Sequence, residues 1–126
     1  MKNDIAGLTE IRFFVNTFYD RIRADEMLGP VFNDKIGNRW EAHLEKMYGF
    51  WQSLLFGERT YHGRPFPPHM DLPIGKEHFT RWVQLFEGVI NEYYEGPVAD
   101  EAKLRANTIA GIFQAKLEQM RLGEPF

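Results

Sequence analysis

Four histidines are the side chains of this chain best suited to metal chemistry, because the sequence contains no cysteine. The lack of thiols excludes a disulfide framework, thiolate zinc, iron–sulfur sites, a cysteine nucleophile and cofactor attachment through Cys-x-x-Cys-His. No His-Glu-x-x-His motif occurs, and no histidine has a glutamate three positions before it, so neither a zincin nor a di-iron carboxylate bundle is supported. Any metal must be held by histidine, by carboxylates or within a non-covalent cofactor.

The four histidines are not equivalent in their surroundings. His62 lies in a polar turn, and His78 lies on the outer side of a predicted helix, so both are expected to be solvated surface residues. His43 lies on an apolar helix face, and His69 follows Pro67-Pro68 in a loop with apolar flanks. For these last two, a buried imidazole bonded to a backbone carbonyl is the ordinary alternative to a metal ligand.

Three predicted helices each carry one residue with a polar tip on an otherwise apolar stripe: Tyr19, His43 and Trp82. A phenol, an imidazole and an indole N–H each need a hydrogen-bond partner when they are buried. A bound polar atom facing an iron held by His69 would explain all four residues together. Three unrelated buried polar residues are the alternative.

Apolar residues recurring at helical spacing predict four main helices and no strand. The helices run from Leu8 to about Arg23, from a cap at Asn38 to about Leu54, from about Lys76 to the Gly96-Pro97 stop, and from about Ala99 to Met120. Leu28-Gly29-Pro30 is expected to break the first helix, leaving at most one helical turn around Phe32. Between residues 57 and 75, four prolines and three glycines exclude a long regular helix. On the last helix the predicted inward residues are Leu104, Thr108, Ile109, Ile112, Phe113, Leu117 and Met120.

The chain of 126 residues is long enough for one core only, so we predict a single all-α domain spanning residues 1–126. A net charge of −3 provides no basic surface for nucleic acid. No stretch approaches the ~20 apolar residues of a membrane span, and no secretory leader is recognisable, so a cytoplasmic protein is expected. Aromatic residues make up 15% of the chain, which suits a core built around something flat as well as an aromatic core without ligand.

Five segments give the chain a clear resemblance to the truncated haemoglobins, and specifically to their third group. The segments are FYDRIR with Tyr19, LGPVFND with Phe32, WEAHLEKMYGFW with His43 and Trp51, YHGRPFPPHMDL with His69, and HFTRWVQLFE with Trp82. The likeness covers nearly the whole chain. The chain also lacks the Gly-Gly pairs that the other truncated groups carry, as the third group does.

The resemblance implies a shortened globin fold, a two-over-two helical sandwich that holds haem b non-covalently. By position, His69 resembles the proximal iron ligand, while Tyr19, His43 and Trp82 resemble the distal hydrogen-bonding set. The residues expected to pack against haem are Phe18, Phe32, Met47, Phe50, Trp51, Trp82 and Phe86, for which a plain core role is an equal alternative. Lys46 and Arg64 are candidates for the haem propionates, with solvated charge as the alternative.

The function implied is binding of a small diatomic ligand, above all dioxygen, with nitric oxide and carbon monoxide as further ligands. For His43 three roles stay open: a further donor beside Tyr19 and Trp82, a gate on the ligand path, or a side chain that points outward. Hydrogen bonds from Tyr19 and Trp82 to dioxygen predict slow release, which suits bulk delivery poorly. An enzyme with peroxidase-like or nitric oxide/dioxygen redox activity, served by a reductase, is therefore the strongest rival. A haem-free helical interaction module is the alternative from another class.

Overall fold

A computed structural model describes residues 2–58 and 73–121, which form five helices. They are α1 (Leu8–Ala24), α2 (Gly29–Ile36), α3 (Trp40–Phe56), α4 (Lys76–Tyr93) and α5 (Pro97–Arg121). α1 packs against α3 and crosses α4, and α4 in turn pairs with α5. Within the described residues the regular structure is helical and no β-strand forms, so the all-α prediction is confirmed.

α1 buries the face that its sequence predicts. Its buried residues recur every three or four positions and are Ile11, Phe14, Val15, Phe18, Tyr19 and Ile22. Because all six are aliphatic or aromatic, one stripe carries the contact with α3 and α4. Tyr19 and Phe18 are thereby fixed near the middle of the fold.

α2 is a helix of eight residues, where the sequence predicted a break and at most one turn. Pro30 lies in the first turn, where a residue needs no intrahelical N–H bond, so proline starts this helix instead of preventing it. Asp25 prepares the start, since its Oδ2 accepts hydrogen bonds from the N–H groups of Met27 and Leu28 at 3.1 and 3.0 Å. A Cβ at Gly29 would lie 2.7 Å from the Arg23 carbonyl oxygen, so the two backbones meet directly at this corner.

α3 begins at Trp40, one residue later than a cap at Asn38 predicts. Arg39 precedes it without a side-chain cap, so the expected Asn38 cap is wrong. Gly57, with a φ of 70°, ends the helix in the left-handed conformation that glycine adopts most easily.

α5 buries Phe113 and Leu117 as predicted, but the rest of its buried face differs from the predicted one. Its buried residues are mostly small: Ala99, Ala102, Ala106, Ala110, Phe113 and Leu117. Leu104 is 60% exposed and Ile112 48% exposed, and Thr108 between them is exposed too. Alanines let α5 lie close to α4, so the helix places its small residues at the contact and leaves large apolar ones in solvent. The predicted inward positions of Leu104, Thr108 and Ile112 are therefore wrong.

The segment before α1 is tied to the start of α5 through Asp4. Its carboxylate accepts hydrogen bonds from the N–H groups of Val98 at 3.0 Å and of Ala99 and Ile5 at 2.8 Å. Val98 and Ala99 lie in the first turn of α5, where N–H groups have no intrahelical partner. No helix within residues 2–58 and 73–121 is long and apolar enough to cross a membrane.

Candidate functional site

Tyr19 of α1 and His43 of α3 lie in direct ring contact. Their ring centroids are 5.1 Å apart and their planes are perpendicular. Tyr19 is 6% exposed, and the Nε2 atom of His43 is buried, so the imidazole points into the fold. Burial raises the pKa of Tyr19 above its usual value, so the phenol keeps its proton at neutral pH and remains a hydrogen-bond donor.

Trp82, the third predicted donor, is separated from this pair by the ring of one phenylalanine. Phe18 separates them, with its centroid 5.1 Å from Tyr19 and 5.4 Å from Trp82. Trp82 also shares the lining of a small cavity with Phe32, whose ring lies 6.3 Å from Tyr19. The structure thus gathers Tyr19, His43 and Trp82 from three helices around one group of aromatic rings. The remaining residues of the cavity lining are Leu28, Ile74, His78, Phe79 and Ala110.

Three of the predicted packing residues are deep in the core. Phe18, Trp51 and Phe86 are all buried, and Phe86 is stacked on Trp51 at 4.9 Å and on Trp82 at 6.0 Å. Because these rings already contact one another, their packing is explained by the protein core itself.

The other predicted packing residues keep part of their surface free. Phe32, Met47 and Phe50 are half-buried and pack against the main core cluster. Apolar side chains with one covered and one uncovered side suit a flat apolar group better than fully enclosed rings do. Lys46, which follows His43 by one turn of α3, is exposed.

Two predicted site residues, His69 and Arg64, lie outside the described residues, and so does His62. The described chain ends at Glu58 on one side of them and resumes at Pro73 on the other. Within the two described stretches, no group of three or more His, Cys, Asp or Glu side chains could hold a metal ion. The ligand role of His69 therefore stays a prediction.

Trp40, the first residue of α3, lies beside the Tyr19–His43 pair although the sequence predicted no role for it. Its ring lies 5.8 Å from both Tyr19 and His43. The Arg23 guanidinium lies 4.6 Å above the indole. The sequence spacing could have predicted this neighbourhood. Trp40 precedes His43 by three residues and Arg23 follows Tyr19 by four, which places each pair on one helix face.

His78 was expected to be a solvated surface residue, and that expectation is wrong. Its Nδ1 accepts a hydrogen bond from the Gly75 N–H at 3.0 Å, and its side chain is only 19% exposed. The imidazole closes the first turn of α4 and lines the cavity beside Trp82. The signal was its position at the helix start, where a side-chain acceptor satisfies a free backbone donor.

Asp25 and Arg81 join the α1–α2 corner to α4 at the edge of this site. Arg81 Nε lies 2.8 Å from Asp25 Oδ1. Burial alone would raise the pKa of Asp25, but the N–H groups of Leu28 and Met27 and the Arg81 guanidinium together lower it. The ionised carboxylate therefore joins the α1–α2 corner to α4. The corner lines the cavity with Leu28, and α4 lines it with Trp82.

Comparison with known proteins gives this arrangement a family. The profile of the bacterial-like globins matches residues 3–112. The chain belongs to this family. As a bacterial-like globin it is 36% identical over 121 residues to "Group 3 truncated hemoglobin ctb" of Campylobacter jejuni, a match that covers 93% of this chain and 95% of that relative.

A solved structure gives the same result for the fold. The crystal structure of the group III truncated hemoglobin from Campylobacter jejuni superposes with a TM-score of 0.84 at 36% identity, covering 93% of this chain and 95% of the other. The resemblance to the third group of truncated haemoglobins is thereby confirmed. The residues that match the family profile include α1 to α4 and most of α5.

Proposed function

We propose that this globin binds haem b non-covalently through His69 and takes up dioxygen on the side of the iron that faces Tyr19. The observation that carries the proposal is the buried phenol of Tyr19, which is protonated and in contact with His43. The half-buried apolar side chains of Phe32, Met47 and Phe50 fit the edge and faces of a flat macrocycle. Lys46 and Arg64 are suited by charge to the haem propionates.

Bound haem would supply an iron with one open coordination position for a diatomic ligand. The residues of this chain would then determine how long such a ligand stays. A phenol O–H that donates to dioxygen in a dry pocket stabilises it by ~1–3 kcal/mol, and the less polar carbon monoxide by less. Trp82, whose ring lies against Phe18 as Tyr19 does, is the second donor in this proposal. We therefore expect slow dioxygen release.

The absorption spectrum of protein expressed with a supply of haem tests this function. We expect a Soret band in the parent protein and its loss or strong reduction in His69→Ala. His62→Ala, seven residues earlier in the sequence, is the matched control and should keep the band. A parent protein without a Soret band would refute haem binding, and a His69→Ala variant with full haem and an unchanged ferrous spectrum would refute the ligand assignment.

The contact between Tyr19 and His43 also favours a second candidate function. A phenol beside an imidazole can hold and pass a proton, which peroxidase-like chemistry requires, and its O–H can position dioxygen for reaction with nitric oxide. Such an enzyme would work with a reductase, and a cytoplasmic location would suit both roles. Turnover of peroxide or nitric oxide by haem-loaded protein with a reductase present supports the enzyme, whereas ligand binding without turnover supports the binder.

A further inference from the structure

Trp40 covers the outer end of the Tyr19–His43 pair. It is the first residue of α3, a position usually open to solvent, yet it is only 8% exposed. Its ring meets Tyr19 at an interplanar angle of 61° and His43 at 88°, so the indole edge or face contacts both polar rings. The indole therefore packs against both side chains of the distal pair, Tyr19, which is buried, and His43, whose Nε2 is buried while the rest of the residue is half-buried.

Arg23 holds the indole from the outside. Its guanidinium lies 4.6 Å from the Trp40 ring centroid, within the range of a cation–π interaction. Arg23 is one helical turn after Tyr19 and is exposed, whereas Tyr19 is buried. From solvent inward at this corner, the exposed Arg23 is thus followed by the buried Trp40, which lies against the buried Tyr19 ring and the half-buried His43. An exposed cation–π contact is weak, so this outer layer can open without unfolding the helices beneath it.

We propose that Trp40 and Arg23 are positioning residues that close the distal pair against solvent and limit how fast small ligands reach it. The second part of this proposal rests on the proposed function, whereas the closure itself does not. Closure keeps water away from the Tyr19 hydroxyl and the buried Nε2 of His43, so that water does not compete with a bound ligand for hydrogen bonds to them. Opening requires only that the indole leave its place under the guanidinium.

The closure is tested by the chemical accessibility of His43, which needs no haem. His43 is labelled with diethyl pyrocarbonate, and the labelling rate is followed by mass spectrometry in the parent, Arg23→Met and Trp40→Ala. We expect about threefold faster labelling in Arg23→Met, which loses the cation but keeps the indole, and about tenfold in Trp40→Ala. Arg12→Met is the matched control, since Arg12 lies 5.7 Å above Tyr48 across the same two helices. Its labelling rate should equal that of the parent.

Ligand access is tested on haem-loaded protein by flash photolysis of the carbon monoxide complex. We expect the bimolecular association rate to rise about tenfold in Trp40→Ala and not in Arg12→Met. Equal labelling of His43 in all four proteins overturns the closure. Faster labelling with unchanged association overturns the role in ligand access. A missing Soret band refutes the proposed function instead, and labelling still decides the closure. If Trp40→Ala fails to fold, Arg23→Met decides both parts, since its labelling and its association are each expected to be about threefold faster than in the parent.

Discussion

Replacing Asp4 tests how the segment before α1 stabilises the fold. Asp4→Ala removes three hydrogen-bond acceptances, two of them from the otherwise unsatisfied first-turn N–H groups of Val98 and Ala99. Loss of a helix cap costs ~0.5–2 kcal/mol, and hydrogen bonds to a charged group contribute at the upper end of the usual range. We therefore expect a loss of about 2 kcal/mol in the free energy of unfolding, with a fall in Tm of roughly 8 °C.

The pH dependence of the same effect has a definite sign. Burial alone would raise the pKa of Asp4, but the backbone N–H groups of Val98, Ala99 and Ile5 together lower it below its usual value. The stabilisation is therefore complete above the unfolded-state pKa of ~4 and is lost as the pH falls through the lower folded-state pKa. Asp4→Asn should lower stability at pH 7 and approach the parent in strong acid.

Urea unfolding at pH 7 and at pH 3, at constant haem content, measures both effects. Asp100→Asn is the control, because Asp100 lies in the same helical turn but is exposed and pairs with Lys103 at 3.6 Å. Its effect should stay within about 0.5 kcal/mol. The reasoning is refuted if Asp4→Asn is as stable as the parent at pH 7, or if the difference between them grows as the pH falls.

Three further outcomes are expected. Tyr19→Phe should raise the dioxygen dissociation rate about tenfold or more by stopped flow, and an unchanged rate would remove Tyr19 from the distal set. Asp25→Ala should lower the free energy of unfolding in urea by ~2 kcal/mol, because it leaves two backbone N–H groups without their acceptor. Arg81→Met removes a partner that is 43% exposed and should lower it by less than ~1 kcal/mol. Equal losses in the two variants would contradict this reasoning. Leu104→Gln should change stability by less than ~0.5 kcal/mol and Phe113→Ala should lower it by ~3 kcal/mol, with the reverse order contradicting the observed face of α5.

The sequence predicted best where large apolar residues alone define a helix face. On α1, six aliphatic or aromatic residues marked the buried stripe, and Tyr19 was placed correctly within it. On α5, the alanines and the large apolar residues each recur at helical spacing. The alanines are buried, whereas Leu104 and Ile112 are exposed. Alanine carries little hydrophobic signal, so a face chosen for close helix approach cannot be separated from a solvated one by periodicity alone.

Contacts between helices limited what could be predicted about the site. Tyr19, His43 and Trp82 were expected to converge because each was a polar tip on an apolar stripe, and the structure gathers them around Phe18. The cover formed by Trp40 depends on how the end of α1 meets the start of α3. That geometry is set by the turn of α2 and the Asp25 hydrogen bonds, which a single-helix pattern does not contain.

The positions of the tryptophans make intrinsic fluorescence a direct reporter of the candidate site. The chain has three tryptophans, and each indole contacts another aromatic ring at or beside the candidate site. Trp40 contacts Tyr19, Trp82 contacts Phe18, and Trp51 contacts Phe86. All intrinsic indole emission therefore originates beside the candidate site. A bound chromophore there would quench the whole signal by energy transfer, and its departure would restore it, so uptake and loss can be timed without a label.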